Sequence, residues 1–252
     1  MNKDQYIKKL YEAYKTKIPL TNDVFPEGVT NLNDAYKIQH AFTALKEQNG
    51  EKLSGYKLSL TNQSSQKLFD ITEPLYGQLT DACLVSELNI NNINEILVEL
   101  ELVFVAQEDL SANDNHDQIL SKVLVAPGIE IPHSRYKNWF PNLTKEHFCC
   151  DGAVGGWLAY GNPVPATYKS LDKISGSLLH NGELIGKGIS DIVLNHPLNA
   201  VEWLLNKLQT HGLIVKKGMY ISSGTFFPPL SLKIGKYEGH IENFGVVSLL
   251  VT

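Results

Sequence analysis

Two glutamates, Glu99 and Glu101, stand inside the most apolar run of the chain, the ILVELELVFVA of residues 96–106. The run has β-strand character. Side chains two apart on a strand point the same way. Glu99, Glu101, Val103 and Val105 therefore share one face, and Val98, Leu100, Leu102 and Phe104 share the other. Both faces are otherwise apolar, so the strand is expected to be covered on both sides. The two carboxylates then sit roughly 6–7 Å apart at the backbone, with little water around them. Burial and like charge both oppose ionisation there. A Glu-x-Glu pair on a strand is more often a solvated face. If it is buried, protons, a Lys or Arg partner, or a cation must compensate, and a divalent cation compensates both acids at once. Glu130 adds a third acid in a similar setting, the VLVAPGIEI of residues 123–131. Three carboxylates without a Cys or His cluster suit a hard, oxygen-binding ion, Mg²⁺ or Mn²⁺ rather than Zn²⁺.

The elements that must hold these acids can be read around them. Tyr6, Ile7, Leu10, Tyr11 and Tyr14 recur at helical spacing. A second helix follows, with Asn33 as its expected cap, a stripe of Ile38, Ala41, Phe42 and Leu45, and an end near Gly50. From Ser54 to Thr61 the pattern alternates, Tyr56, Leu58 and Leu60 against Lys57, Ser59 and Thr61. Residues 73–77 (EPLYG) predict a turn, 111–116 a polar loop and 118–123 a short helix. Asn181-Gly182 joins two alternating runs as a hairpin. Pro197 opens a helix that Gly212 closes, and residues 219–223 and 244–251 predict late strands. The order gives an α+β fold: one domain over 1–252, with a helical part over 1–50 and a β-rich core over 51–252.

Composition excludes some partners. The chain has 252 residues, is 43% apolar and carries a net charge of −5, which favours neither nucleic acid nor an anionic membrane surface. No apolar run approaches membrane-span length, and the polar start MNKDQ shows no signal pattern. Cys83, Cys149 and Cys150 form no disulfide or metal framework and fit reduced thiols in a cytoplasm. The glycines of DGAVGG, residues 151–156, lack phosphate-loop and dinucleotide spacing and read as a site of close backbone approach. His196, before Pro197, reads as a helix-start residue.

Seven segments stand in a familiar order: GYKLSLT (55–61), EPLYG (73–77), VELEL (98–102), GIEIPHSR (128–135), NGE (181–183), NHPLNAVEW (195–203) and SGT (223–225). Together they resemble the 2-oxopent-4-enoate hydratase / 4-oxalocrotonate decarboxylase branch of the fumarylacetoacetate hydrolase superfamily, from about residue 5 to the end. The resemblance implies a mixed β-roll or barrel-like core with a helical N-terminal part, a Mg²⁺ or Mn²⁺ site, and a homo-oligomer, with an enzyme of the same pathway as a candidate partner. Glu99, Glu101 and Glu130 take the positions of the metal ligands, and Lys57 that of the active-site lysine. The sequence departs from the family at His133, where an acid is common, and at Gly235-Lys236, where Gly-Asp is common.

The chemistry implied is metal-assisted turnover of a 2-keto acid through a metal-bound dienolate, in breakdown of aromatic compounds. The first expectation is hydration of 2-hydroxypenta-2,4-dienoate to 4-hydroxy-2-oxopentanoate. The alternatives are decarboxylation of 4-oxalocrotonate, hydrolysis of an acylpyruvate C–C bond, and keto-acid binding without turnover. Lys57 is the expected acid or carboxylate partner and Ser59 shares its strand face. Asp151 and His133 are candidate bases. Ser134, Arg135 and Thr225 are candidate substrate contacts, since a guanidinium matches carboxylate geometry.

Overall fold

The computed structural model describes residues 1–91, 93 and 95–252. Its fold is α+β: a helical N-terminal part set against a curled sheet, with a second sheet behind it. Asn2 opens α1 (Lys3–Thr16) through a reciprocal capping box with Gln5. α2 (Leu32–Gln48) is capped by Asn31, whose side chain accepts from the Asp34 amide, so the expected cap at Asn33 is corrected by two residues. Asn31 is the residue in extended backbone, and only from there does the side chain reach the third helical amide.

The strands follow. β1 (Leu53–Ser59) is next, then α3 (Gln63–Leu68), β2 (Leu75–Thr80), β3 (Glu87–Leu88) and β4 (Leu97–Ala106). α4 (His116–Ser121), β5 (Val123–Ile131), α5 (Lys145–Cys150), β6 (Trp157–Tyr160) and α6 (Tyr168–Leu171) follow. The last third holds β7 (Ser175–His180), β8 (Glu183–Ile189), α7 (Pro197–Thr210), β9 (Tyr220–Thr225), β10 (Leu230–Ser231), β11 (Gly235–Ile241) and β12 (Gly245–Val251). The larger sheet runs β2-β1-β9-β4-β5-β6, with β10 on β4, and the smaller runs β3-β12-β11-β7-β8.

Three expectations change. EPLYG is not simply a turn, because Leu75, Tyr76 and Gly77 lie in β2 and are fully buried; Glu73-Pro74 is only its approach. β1 ends at Ser59, because Leu60 turns into left-handed backbone (φ 58°) and breaks the alternation before Thr61. The short helix begins at His116, earlier than expected, because Asn115 caps it. The Asn181-Gly182 hairpin forms, with both residues at positive φ. The Pro197 helix starts under a cap from His196, whose Nδ1 accepts from the Leu198 amide.

β4 is covered on both faces. Leu100 meets the smaller sheet, where a Cβ on Gly239 would lie 2.6 Å from Leu100 Cδ1. The opposite face carries Glu99 and Glu101, with Val103 packed among Leu79, Leu158 and Tyr220. The N-terminal helices are stapled on by one buried amide. Gln39 of α2 donates to the carbonyls of Tyr76 and Cys149 and accepts from the Gln78 amide. This joins α2 and α5 to β2, the edge strand of the larger sheet beside β1.

Candidate metal and substrate site

Four adjacent strands of the larger sheet supply the site. β4 and β5 pair antiparallel with Glu99 directly opposite Glu130, while Glu101 faces Gly128. Cross-strand register thus brings the third acid to the first two. One oxygen from each of Glu99, Glu101 and Glu130 lies within 4.8 Å of the others. Glu101 and Glu130 are each 1% exposed.

β9 fixes Glu101. Between its pairings at Ser222 and Thr225, β9 spends one more residue than β4, and Gly224 takes a φ of +115°. This local irregularity aims the Gly224 amide at Glu101 Oε2 (2.9 Å), beside the Ser222 hydroxyl (2.5 Å). Glu101 Oε1 and both oxygens of Glu130 have no hydrogen-bond partner among the described residues. Buried carboxylate oxygens left so are costly.

Lys57 of β1 is the cation beside them. Its Nζ lies 2.9 Å from Glu130 Oε1, an ion pair outside hydrogen-bond angles. It donates to Ser59 Oγ and to the Ala153 carbonyl, 3.2 Å away. Burial alone would lower its pKa, but Glu130, Glu99 and Glu101 outweigh that and hold it above the ordinary lysine value. The acids respond to the same crowding. Burial and then the Glu130 charge push Glu99 up to about 8, against the pull of Lys57. Burial, Glu130 and Glu99 push Glu101 well above the usual carboxylate range. One ammonium therefore does not balance three carboxylates. The oxygen-only donor set, the close grouping and the unpartnered oxygens fit a divalent cation.

The Ala153 carbonyl is held by a neighbouring cluster. Gly152, Ala153 and Val154 all adopt positive φ. Arg135 clamps this turn by donating to the Asp151 carboxylate, to the Asp151 carbonyl and to the Gly155 carbonyl. Ser134 donates to Asp151 as well. Gly77, opposite Lys57 in register, lets the turn approach; a Cβ there would lie 1.9 Å from the Gly152 carbonyl oxygen. Of the DGAVGG glycines, Gly156 serves close packing, since a Cβ there would lie 2.2 Å from the Ile131 carbonyl oxygen, whereas Gly152 has open space at that position and serves its positive φ.

The structure brings Lys57, Ser59, Glu99, Glu101 and Thr225 to one cleft, with Glu130 against Lys57. Thr225 uses its hydroxyl on the Phe227 carbonyl. It does not bring Ser134, Arg135, Asp151 or His133 there. Arg135 and Asp151 satisfy each other in the interior, so the expectation of Arg135 as a carboxylate anchor and Asp151 as a base is corrected to a supporting role. His133 faces Trp157 beside Lys17 and Arg135, and burial followed by those two cations pushes it down to about 3. Sequence reasoning missed Ser222 and the Gly224 amide, although the glycine of SGT inside a strand was a signal for such an irregularity. It also missed the aromatic wall of the cleft, Phe69, Trp139, Phe140 and Phe148.

The fold with this acid trio defines a protein of the fumarylacetoacetate hydrolase type. It superposes on 4-oxalocrotonate decarboxylase of Pseudomonas putida G7, solved with magnesium and adipate, with a TM-score of 0.89 at 22% identity, covering 100% of this chain and 99% of that one. Among curated proteins, 2-hydroxyhexa-2,4-dienoate hydratase of Comamonas testosteroni is 30% identical, over 97% of this chain and 95% of its own length. The 2-keto-4-pentenoate hydratase of Paraburkholderia xenovorans (strain LB400) is 29% identical over 97% and 93%. No family model matches the chain. The chain belongs to the 2-keto-4-pentenoate hydratase / 4-oxalocrotonate decarboxylase family of enzymes.

Proposed function

We propose that residues 1–252 act as one catalytic domain that adds water to 2-hydroxypenta-2,4-dienoate, giving 4-hydroxy-2-oxopentanoate. The observation that carries this reading is the buried trio Glu99, Glu101 and Glu130, with unpartnered oxygens and Lys57 alongside, at the floor of a cleft. The three glutamates would hold Mg²⁺ or Mn²⁺, which would supply a Lewis acid for the carboxylate and 2-oxo oxygens of a keto acid. Lys57 is the proton donor to the dienol carbon. Ser59, Ala153 and Glu130 fix where its Nζ points. The carbonyl of Ala153 stays in place because Arg135 and Asp151 lock its turn. Thr225 borders the substrate on the β9 side.

The test is loss of the dienol's ultraviolet absorbance with Mg²⁺, beside an EDTA-treated sample and Lys57→Met. Metal-dependent loss faster than spontaneous ketonisation, with the hydroxy-keto acid formed and the variant slow, supports the reading. Equal rates in all three samples overturn it. The likeness to a decarboxylase favours a second reading, decarboxylation of 4-oxalocrotonate on the same trio, and that acid is the next substrate to assay.

Two further features belong to this reading. Leu184, Ile189, Val246 and Leu250 are exposed on the smaller sheet, which supports a homo-oligomer. The three unpaired cysteines support a reducing cytoplasm, and no helix among the described residues is long and apolar enough to cross a membrane.

A further inference from the structure

From floor to mouth the cleft changes character. Lys57 and Glu101 at the floor are each 1% exposed, whereas Leu68 and Phe140 at the mouth are 55% and 41% exposed. Between them stands a continuous apolar wall. Phe69 contacts Phe148 (ring centroids 5.0 Å) and Phe140 (6.3 Å), and Trp139 meets Phe140 edge-on (5.5 Å). The indole N–H of Trp139 is spent on the Glu95 carbonyl, so it offers no donor to the cleft.

Among the described lining residues, the one cationic side chain is Lys57, already engaged by Glu130, Ser59 and Ala153. Lys145, on the same helix as Phe148, donates to the Asp70 carbonyl and does not line the cleft. Asn62, at the start of α3, uses its side-chain oxygen to cap that helix, and its Nδ2 is a neutral donor that carries no charge to offset a carboxylate. A carboxylate placed against Phe69, Phe140 and Phe148 would lose water and gain no partner. An alkyl chain there would cover apolar surface.

We infer that the outer cleft selects 2-keto acids with an uncharged apolar tail and disfavours those ending in a second carboxylate. This rests on the keto-acid reading of the floor and deepens it by naming the class of tail.

The experiment measures binding of stable saturated probes by calorimetry in saturating Mg²⁺. The probes are 2-oxobutanoate, 2-oxohexanoate and 2-oxooctanoate, with 2-oxoadipate and 2-oxosuberate as diacids of matching length. The monoacids should tighten by about threefold per methylene that reaches the wall. Each diacid should bind at least about tenfold more weakly than the monoacid of its length. Phe140→Arg and Leu68→Arg lie at the exposed mouth, where folding is not at risk, and should narrow or reverse that gap. Equal affinity for mono- and diacids, affinity independent of chain length, or no binding of any probe would each overturn the inference. If the probes show the expected preference while no dienol is turned over, the hydratase reading fails and the tail selectivity stands.

Discussion

Replacing Glu101 by glutamine should move two measurements in opposite directions. Glu101 Oε2 is held by Ser222 and Gly224, so a glutamine that keeps those donors on its oxygen turns its amide nitrogen toward Glu99 and Glu130. That removes one of three like charges and offers an N–H toward Glu130, whose Oε2 has no partner. Two full charges no more than 4.8 Å apart repel by at least about 3.5 kcal/mol at an effective dielectric of about 20. Glu99 and Glu101 already escape part of this by holding protons, so the realised relief is smaller, about 1–2 kcal/mol. For a chain of this size that raises the metal-free melting temperature by about 2–6 °C. The same change removes a ligand charge and puts a donor where the cation belongs. Mg²⁺ affinity should then fall at least ~100-fold, or about 3 kcal/mol. Thermal unfolding in EDTA and calorimetric Mg²⁺ titration read the two effects separately. Wild-type Mg²⁺ affinity in Glu101→Gln, or a metal-free variant less stable than wild type, would refute the charge argument.

Three other outcomes follow from the surroundings of the site. Gly77→Ala drives a methyl into the Gly152 carbonyl and presses Lys57 Cδ (3.3 Å), so turnover should drop ~10-fold or more, with Mg²⁺ affinity changed far less; steady-state kinetics beside calorimetry separates the two. Arg135→Met strands a buried Asp151 and should cost about 3–5 kcal/mol in urea unfolding; a loss under 1 kcal/mol would show the clamp is dispensable. His133 is neutral in the fold down to about 3, whereas the unfolded chain takes up its proton near 6.5. The contribution of neutral His133 is therefore complete above about 6.5 and lost as pH falls, so His133→Gln should gain on wild type by up to about 1.4 kcal/mol per pH unit below that point. Urea unfolding at pH 5, 6, 7 and 8 measures the difference, and a constant gap contradicts buried neutrality.

The acids and the strand that bears them were legible because their signal is local. Alternation over residues 96–106 places Glu99 and Glu101 on one face whatever the rest of the chain does. The meeting with Glu130 depends on antiparallel register, which single-sequence alternation does not encode; it was anticipated through the family resemblance. Arg135 and Asp151 show the converse. Both have residue types suited to catalysis, and what decides their role is that they lie within reach of each other across sixteen positions of chain. β2 was hidden by Pro74 and Gly77, whose turn signal is local, while the value of Gly77 is non-local: it makes room for Gly152. α3 gave little amphipathic signal because none of its residues is buried.

The position of β9 has a consequence for synthesis. It lies between β1 and β4, parallel to one and antiparallel to the other, yet it is made more than a hundred residues after both. Until residue 225 has left the ribosome, β1 (paired to β2) and β4 (paired to β5) each present one open edge, with a strand-wide gap between them. The gap leaves Glu101 without its Ser222 and Gly224 donors. A nascent chain of 200 residues therefore carries most of the protein's apolar surface but an open sheet, the kind of species that chaperones hold and aggregates recruit. Joining the native ends and reopening the chain in the loop before β9 would place that strand first, and should shorten the interval over which the open sheet exists.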